Sequence, residues 1–496
     1  MARTALAILA AAVAAMATTG CGSKATTKRP AGPAFTVTGT AMGQPIPSGF
    51  VGLSLEMKTL EEYAGTDPHA INPIFLHLIE DIAPEQSPVL RLGGDSTDWS
   101  WWPIPHVARP PGVTFTLTPN WLDVAHSLAT AVRGKLILGV DLEADNRAVA
   151  AGEAAAMVNR IGRDTVAALE LGNEPELYGS FGWYRSAAGE PVPGRPRDYD
   201  PAAFVRDYSS FAPHLPDVPL AGPSSGAPTW LAKLAPFMDA EPRVRLVTVH
   251  AYPLKHCTKS TVITSSQLLS EQSSRGLADS VAPYVAIAAA HHAPLRVDEM
   301  NGISCGGTRG VSDTFTSALW VLDALFEMAR GGVSGVNIHT VPGGINEILG
   351  PDDSGGTPRM RVHPEFYGMM MFAQAAPAGS RLLKLPASTP PGVKVWATRA
   401  SDGVIHVVVI NKRAAKSQVL RLRINGAHGT AEVEQLRAPS VRSTGGVTLG
   451  GQTFGAATST GVLAGPAAHR TVTPADGAYP ITVAPVSAAM LTIPTH

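Results

Sequence analysis

The sequence has few charges, few cysteines and no segment dominated by charges of one sign. Charged residues make up 16% of the chain and the net charge is −1. The sequence contains no basic stripe that would indicate a nucleic-acid partner and no acidic block that would indicate a solvating tail. With 45% hydrophobic residues and so little charge, the chain is not of the disordered class. These absences leave a globular enzyme or binding protein with a large core.

The N-terminus lacks an apolar run long enough for an ordinary membrane-spanning helix. Arg3 precedes the apolar run 5–17, and small residues lead to Cys21. This pattern resembles a bacterial lipoprotein signal in which Cys21 is lipidated; a cleaved secretory signal is the alternative, since Thr18 stands where Leu is usual. We expect a signal at 1–21, a tether at 22–34, and an exported protein. It would be a cell-envelope lipoprotein held to the membrane only by its lipid, or otherwise secreted.

Eight short apolar segments alternate with helix-like stretches in the first three quarters of the chain. The predicted strands lie at 50–56, 89–93, 135–142, 166–171, 218–223, 245–253, 295–301 and 335–339. This alternation predicts an α/β chain with a (β/α)8 TIM barrel. A doubly wound sheet is the alternative, but no Gly-rich dinucleotide loop follows the first strand.

Short strands at close spacing replace this pattern after about residue 380. Val393–Thr398, Ile405–Asn411 and Val419–Ile424 are separated by turn-rich sequence, which is typical of a β-sandwich. We therefore expect the barrel at 50–376 and a β-sandwich domain at 377–496. The segment 35–49 begins with the alternating run Phe35–Thr40, which predicts an edge strand of a sheet elsewhere.

The apolar run 166–171 ends in Gly172-Asn173-Glu174-Pro175, the stretch that most directly suggests chemistry. In a barrel of this kind, reacting groups sit where the strands end. An acid beside an amide suits sugar chemistry, because the acid protonates the glycosidic oxygen while the amide holds a hydroxyl. The alternative is that Asn-Glu-Pro merely caps a helix.

A second carboxylate, Glu299, ends the predicted seventh strand, across the barrel mouth from Glu174. Retaining glycosidases need two carboxyl groups about 5–5.5 Å apart. We therefore predict Glu174 as acid/base and Glu299 as nucleophile, with Tyr252 donating a hydrogen bond to Glu299. Strand alternation places Asp298 on the opposite side, as a structural ion-pair member.

Other polar residues at the strand ends are candidates for sugar binding: Glu56, Asp95, His250 and His339. The two histidines could instead be metal ligands, but their spacing does not support a metal site. We expect no metal and no cofactor. Cys257 and Cys305 fall in neighbouring loops of an exported chain, which predicts a disulfide; two free thiols are the alternative.

Three blocks together resemble glycoside hydrolase family 79, the retaining β-glucuronidase and heparanase-like group. They are 91–98 (RLGGDSTD), 172–176 (GNEPE) and 299–315, which begins EMN and ends GVSDTF. The resemblance covers about residues 45–375. It implies a barrel and a β-sandwich that the N-terminal segment completes. It also implies Glu174 as acid/base, Glu299 as nucleophile, and sugar contacts from Glu56 and Asn173.

One position departs from the family pattern. Bacterial β-glucuronidases of the family carry a Tyr five residues after the nucleophile, where it contacts the uronic carboxylate; here the residue is Ser304. Its hydroxyl, or backbone N–H groups around Gly306, would have to replace that contact.

The sequence therefore predicts a retaining glycosidase that cleaves terminal β-linked sugars from glycosides or oligo- and polysaccharides, with glucuronides as the first substrates to test. A non-uronic sugar specificity is the main alternative. A non-catalytic carbohydrate-binding surface lipoprotein is the second.

Overall fold

The computed structural model describes residue 32 and residues 34–258, 260–352, 354, 356–385 and 389–494. The predicted signal with Cys21, and the tether up to residue 31, lie outside the described residues. Within the described ranges, no helix is long and apolar enough to cross a membrane.

Eight parallel strands form a closed barrel, which confirms the predicted fold class. Each strand pairs with the next along the chain, and the eighth pairs with the first. In chain order, and named here the first to the eighth barrel strand, they are Val51–Glu56, Val89–Gly93, Lys135–Val140, Val166–Leu171, Leu220–Ser225, Val244–Ala251, Leu295–Met300 and Gly335–Thr340. Their carboxyl ends share one face, so the polar residues that end them face a common mouth.

Helices connect the strands and cover the barrel. The longer ones are Pro73–Ile82, Pro119–Ala131, Arg147–Ile161, Pro201–Phe211, Leu277–Ala290, Phe315–Arg330 and Pro364–Ala375, and the shorter ones are Leu60–Ala64, Pro228–Leu231, Leu234–Ala240 and Ser265–Leu268. Side-chain caps begin several of them: Thr118, Asn146 and Asp200 each accept a backbone N–H of the first turn.

The helical segment between the sixth and seventh barrel strands is interrupted. Ser265–Leu268 is followed by the wider turn Gln272–Gly276 and then by Leu277–Ala290. Serine hydroxyls compete here with the backbone hydrogen bonds of a regular helix, since Oγ of Ser273 donates to the carbonyl of Gln267 at 2.7 Å.

The C-terminal β-domain is built from two sheets around a second core. The larger sheet contains Ala41–Met42, Arg381–Leu383, Val393–Arg399, Ile405–Asn411, Ser487–Ile493, Ala431–Arg437, Thr448–Leu449 and Arg470–Val472. The smaller has Ala34–Val37 pairing in parallel with Gln418–Ile424, and Tyr479–Val483 beyond. Inward residues of both sheets, such as Val407 and Leu420, form one apolar cluster. The two short strands before the barrel thus belong to the β-domain sheets.

A buried ion-pair cluster joins the β-domain to the barrel helix Phe315–Arg330. Asp323 on this helix is fully buried and accepts hydrogen bonds from Nζ of Lys412 at 2.6 Å and Nε1 of Trp396 at 2.8 Å. The Trp396 ring also stacks on Phe326, with centroids 5.3 Å apart. The β-domain therefore braces the helix that follows the seventh strand.

Four two-stranded ribbons complete the described strands. They are Ser100–Trp101 with Phe115–Thr116, Tyr184–Arg185 with Pro191–Val192, Leu254–Lys255 with Ile303–Ser304, and Leu349–Asp352 with Arg359–Val362. The third extends from the ends of the sixth and seventh barrel strands, and we call it the 254/303 ribbon.

Candidate active site

Glu174 stands just beyond the fourth barrel strand, which ends at Leu171. Its backbone is left-handed (φ 45°, ψ 56°), and its N–H donates to the carbonyl of Ser224 at 2.9 Å. A non-glycine residue rarely adopts this conformation unless its surroundings fix it. The turn brings the carboxylate back over the barrel mouth, where its side chain is 25% exposed. Glu174 is therefore held rigidly and remains accessible to a ligand.

Glu299 lies on the seventh barrel strand, and its two carboxylate oxygens have different partners. Oε1 accepts the hydroxyl of Tyr252 at 2.7 Å, as predicted, and Oε2 accepts Nη1 of Arg91 at 2.8 Å. Burial by itself raises the pKa of Glu299, but the charges of His339, His250 and Arg91 and the Tyr252 bond lower it below its ordinary value. Glu299 is thus an ionised carboxylate fixed in orientation.

His250 connects the two acids. Its Nδ1 lies 2.9 Å from Oε1 of Glu174 and 3.9 Å from Oε1 of Glu299. One oxygen of each glutamate and a ring nitrogen of His250 all lie within 4.8 Å of one another. Burial alone lowers the pKa of His250, whereas Glu299 and Glu174 raise it to about 10. The two acids therefore face the same small space, with an imidazolium beside them.

These three groups are also close enough to share a metal ion. A histidine must be neutral to bind a metal, and the raised pKa keeps His250 protonated at neutral pH. Glu299 is also already held by Tyr252 and Arg91. The donor set therefore favours an ion-pair network over a metal centre.

Arg91 is the central residue that the sequence interpretation did not single out. It is fully buried on the second barrel strand and binds Glu299. Its Nε donates to Glu170 at 2.7 Å and its Nη2 to Oδ1 of Asn173 at 2.8 Å. The signal was available, because a charge inside the apolar run of a buried strand must point into the barrel and find partners. Glu170, inside Leu169-Glu170-Leu171, carries the same signal.

Asn173 is fixed by a second network that sequence reasoning also missed. Its backbone N–H donates to Oδ2 of Asp98 at 3.0 Å, and the same oxygen accepts the hydroxyl of Tyr178 at 2.7 Å. Asp98 also accepts the N–H groups of Leu142 and Glu143. With its oxygen bound to Arg91, the amide of Asn173 presents Nδ2 toward the mouth, 3.5 Å from Asp95.

Glu56, Asp95 and His339 form one side of the mouth, as the sequence predicted from their strand ends. Oε2 of Glu56 accepts the N–H of Ser96 at 2.8 Å and the Ser96 hydroxyl, and Oε1 accepts the N–H of Asp95 at 3.2 Å. His339 lies between two acids, with Nε2 3.6 Å from Glu56 and Nδ1 3.8 Å from Glu299. Asp95 is exposed at the rim.

The prediction that Asp298 points away from Glu299 is wrong. Oδ2 of Asp298 lies 2.9 Å from Nε of Arg91, the guanidinium that also binds Glu299. The seventh strand shifts register against both neighbours near this point, so simple alternation fails there. Burial and the adjacent Glu170 raise the pKa of Asp298 well above its ordinary value. Asp298 is therefore a member of the buried polar network around Arg91 and Glu170.

Ser304 and Gly306 lie on the loop beside the acid pair rather than in contact with it. Oγ of Ser304 reaches the carbonyl of Leu254 at 3.5 Å, and Gly306 is exposed with a positive φ of 82°. Between them, Cys305 forms the predicted disulfide with Cys257. The bridge ties the loop after the seventh strand to the loop after Tyr252.

Comparison with known proteins adds to this geometry. Residues 395–490 match the model of the glycosyl hydrolase family 79 C-terminal beta domain. No curated protein matches the chain.

Solved structures share the fold over nearly the whole chain. A 4-O-α-L-rhamnosyl-β-D-glucuronidase from Fusarium oxysporum 12S is 21% identical, with a TM-score of 0.72 over 92% of this chain and 100% of that one. A family 51 arabinofuranosidase from Xanthomonas axonopodis pv. citri is 15% identical, with a TM-score of 0.66 over 93% and 99%. An α-L-arabinofuranosidase from Thermotoga maritima is 12% identical, with a TM-score of 0.63 over 92% and 99%. At such identities these likenesses show the fold alone.

The family match lies in the β-domain, and the barrel in front of it carries the residues through which the sequence resembled the same family. The resemblance is therefore confirmed: the chain carries the C-terminal β-domain of glycosyl hydrolase family 79 behind a (β/α)8 barrel, which supports a glycoside hydrolase.

Proposed function

We propose that the protein is a retaining glycoside hydrolase in which Glu299 is the nucleophile and Glu174 the acid/base. The observation that carries this proposal is the approach of the two carboxylates, with one oxygen of each within 4.8 Å. Retaining enzymes hold the two carboxyl groups about 5–5.5 Å apart, whereas inverting enzymes need about 6.5–9.5 Å to admit a water.

The environments of the two acids support this division of roles. Glu299 is ionised and held by Tyr252 and Arg91, as a nucleophile must be. An oxygen of Glu299 attacks the anomeric carbon while Glu174 gives its proton to the departing glycosidic oxygen. In the second step Glu174 removes a proton from water, which attacks the same carbon and releases Glu299. His250 donates to Glu174 and fixes its orientation.

We assign the sugar contacts to the residues around this pair. Nδ2 of Asn173, which faces the mouth and reaches Asp95 at 3.5 Å, has a second N–H that can donate to the 2-hydroxyl, a contact that strengthens in the transition state. Glu56, Asp95 and His339 also line the mouth and suit the remaining hydroxyls.

For the substrate, we propose a terminal β-linked uronic acid, with β-glucuronides first. Support comes from the family 79 match and from the structural neighbour named as acting on a rhamnosyl-glucuronide. Two other neighbours are named arabinofuranosidases, and Ser304 replaces the tyrosine of the family pattern. A non-uronic sugar is therefore the second candidate.

The test is turnover of 4-nitrophenyl β-glucuronide, β-glucoside, β-galactoside and α-L-arabinofuranoside, with NMR of the first-formed anomer. Retention, together with labelling of Glu299 by a cyclophellitol-type inhibitor and mass spectrometry, would support the mechanism. Inversion, or labelling of a different residue, would overturn it. Glycan binding without turnover by the wild type would favour a binding protein instead.

We also propose export with lipidation at Cys21. Metabolic labelling with a fatty-acid analogue in the wild type and in Cys21→Ala tests this. Label in both, or in neither, would contradict lipidation at this residue.

A further inference from the structure

Positive charge is concentrated in the β-domain, whereas the barrel is acidic. Residues 377–496 contain 12 lysines and arginines against 4 aspartates and glutamates, and residues 50–376 contain 23 against 36. The near-neutral charge of the whole chain therefore conceals an excess of eight positive charges in one domain and thirteen negative charges in the other. A charge division of this size orients a protein in the field of a charged surface.

Two of these cations lie beside the strand Ala34–Val37, by which the described chain enters the smaller sheet. In its parallel pairing, Ala34 lies opposite Arg421 and Thr36 opposite Arg423. The sequence neighbours of both arginines are buried in the core of the β-domain, so strand alternation places the two arginines on the outer face. The entering strand therefore runs alongside two outward-facing cations.

Three further cations flank the continuation of this strand toward the larger sheet. Nη1 of Arg399 and Nη1 of Arg381 each donate to a backbone carbonyl of the segment 38–43, at 3.3 and 3.2 Å. Lys384 is exposed, and its backbone carbonyl accepts an N–H of the same segment at 3.2 Å. The uncharged segment 34–43 is thus bordered by cations from both sheets, which we call the basic cluster: Arg381, Lys384, Arg399, Arg421 and Arg423.

The basic cluster is short of acidic partners. Arg421 lies 3.5 Å from Asp476. Within the part of the chain that the structure describes, the other four members form no ion pair. Arg381 and Arg399 lie directly opposite each other in their antiparallel pairing, where like charges are unfavourable. Such a cluster is stabilised by an anionic partner from outside the chain.

The sequence that leads into the cluster indicates which partner this is. Residues 22–33 connect Cys21, the proposed lipidation site, to the strand that the cluster borders, and they carry three basic residues and no acid. The 13 residues from Cys21 to this strand span at most about 45 Å when fully extended. A lipid at Cys21 therefore keeps this side of the β-domain close to a bilayer, whose anionic headgroups attract basic residues near the surface.

We infer that the basic cluster is a membrane-facing surface that binds anionic phospholipid headgroups. The inference goes beyond the proposed hydrolase and rests on the proposed lipidation for its place in the cell. A lipid anchor holds a protein more firmly when a basic surface acts with it. An anionic bilayer attracts the β-domain and repels the acidic barrel, so the β-domain faces the membrane.

The test measures vesicle binding by the chain from residue 22 onward, which keeps every described residue and carries no lipid. Vesicles with about one third phosphatidylglycerol in phosphatidylcholine are compared with vesicles of phosphatidylcholine alone. We expect binding to the anionic vesicles only, and at least about 10-fold weaker binding when NaCl is raised from about 50 to about 500 mM.

The decisive variant removes three exposed charges of the cluster: Arg381→Gln/Lys384→Gln/Arg423→Gln. It should bind the anionic vesicles about 100-fold more weakly, since each cation near such a surface contributes about 5-fold. Arg381→Lys/Arg423→Lys should bind nearly as well as wild type, because the attraction depends on charge and not on the guanidinium shape. An unchanged Tm and unchanged turnover of 4-nitrophenyl glycosides would show that the variants are folded.

The matched control removes the same charge from three exposed positions on the barrel: Arg206→Gln/Lys233→Gln/Arg245→Gln. Its vesicle binding should change less than about 3-fold, because these residues lie outside the cluster. Equal losses in the two triple variants, equal binding to neutral vesicles, or no binding by the wild type would overturn the inference. Tighter, cluster-dependent binding to an anionic polysaccharide such as polygalacturonate would also overturn it, and would assign the cluster to a polymer.

The inference and the proposed function can fail separately, because vesicle binding requires no turnover. Cluster-dependent vesicle binding by a protein that cleaves no glycoside would overturn only the proposed hydrolase. Glycoside cleavage with retention by a protein that does not bind anionic vesicles would overturn only the role of the basic cluster.

Discussion

The hydroxyl of Tyr252 lies 2.7 Å from Oε1 of Glu299, so a phenol from the sixth strand's loop holds a carboxylate of the seventh strand. Burial and the Glu299 charge raise the pKa of Tyr252 well above its ordinary value, so the phenol remains a donor at any working pH. This bond favours the ionised form of Glu299 and fixes its free lone pairs toward the space shared with Glu174.

Tyr252→Phe should lower kcat about 10–100-fold by removing one charge-assisted hydrogen bond. It should also move the acidic limb of the kcat/KM profile to higher pH, because losing the bond raises the pKa of Glu299, which must be ionised to attack. A pH–rate profile of the variant checks both effects. An unchanged acidic limb would assign that limb to another group.

Glu299→Ala and Glu174→Ala should differ in their response to the leaving group. Removal of Glu299 should reduce turnover about 10⁵-fold for every substrate, since no covalent intermediate forms. Removal of Glu174 should be milder for a good leaving group such as 2,4-dinitrophenol, which needs little protonation, and azide should restore turnover. Burst kinetics with both variants measure this difference. Equal losses with every leaving group would contradict the separate roles.

The stabilisation that His250 gives the folded state should decrease as the pH rises. In the folded state its pKa is about 10, whereas its ordinary value is near 6.5. The stabilisation that the protonated His250 gives the folded state is therefore complete below about pH 6.5 and is lost as the pH approaches 10. The difference in Tm between wild type and His250→Gln should therefore be larger at pH 6 than at pH 9. The exposed His214→Gln serves as the control. A constant difference across this range would contradict the assignment.

Asp323→Asn should destabilise the junction between barrel and β-domain. It removes the charge that Lys412 and Lys394 face in a buried setting, at a cost of about 3–5 kcal/mol of unfolding free energy. The double variant Asp323→Asn/Lys412→Met should lose less than the two single losses added together, because it no longer leaves a buried lysine unpaired. Chemical denaturation measures all three. Strict additivity would show that the pair is not coupled.

Reduction of Cys257–Cys305 should lower stability and loosen the 254/303 ribbon. The cysteines are 48 residues apart, for which the chain-entropy model gives at most about 4 kcal/mol. Cys257→Ser/Cys305→Ser should therefore have a lower Tm, and wild type in reductant should approach it. A Tm that does not respond to reductant would contradict a stabilising role for the bridge.

Local sequence was sufficient to predict the barrel strands and the position of Glu174 and Glu299 at the barrel mouth. An apolar run such as 166–171 predicts a buried strand, and a break at Gly172 places Asn173 and Glu174 at the barrel mouth. The same reasoning applied to the seventh strand identified Glu299. The disulfide followed from the prediction that its two loops are neighbours.

What the sequence determined by itself was the order of strands, and with it which residues reach the mouth. Only the tertiary structure decided their partners: that Arg91 joins Glu299 to Asn173, and that His250 lies between the two acids. Strand position depends on local hydrophobic pattern, whereas contacts across the barrel depend on register and on side-chain reach between strands far apart in the chain. Asp298 shows this limit, because a register shift that no local pattern reveals turned its carboxylate toward Arg91.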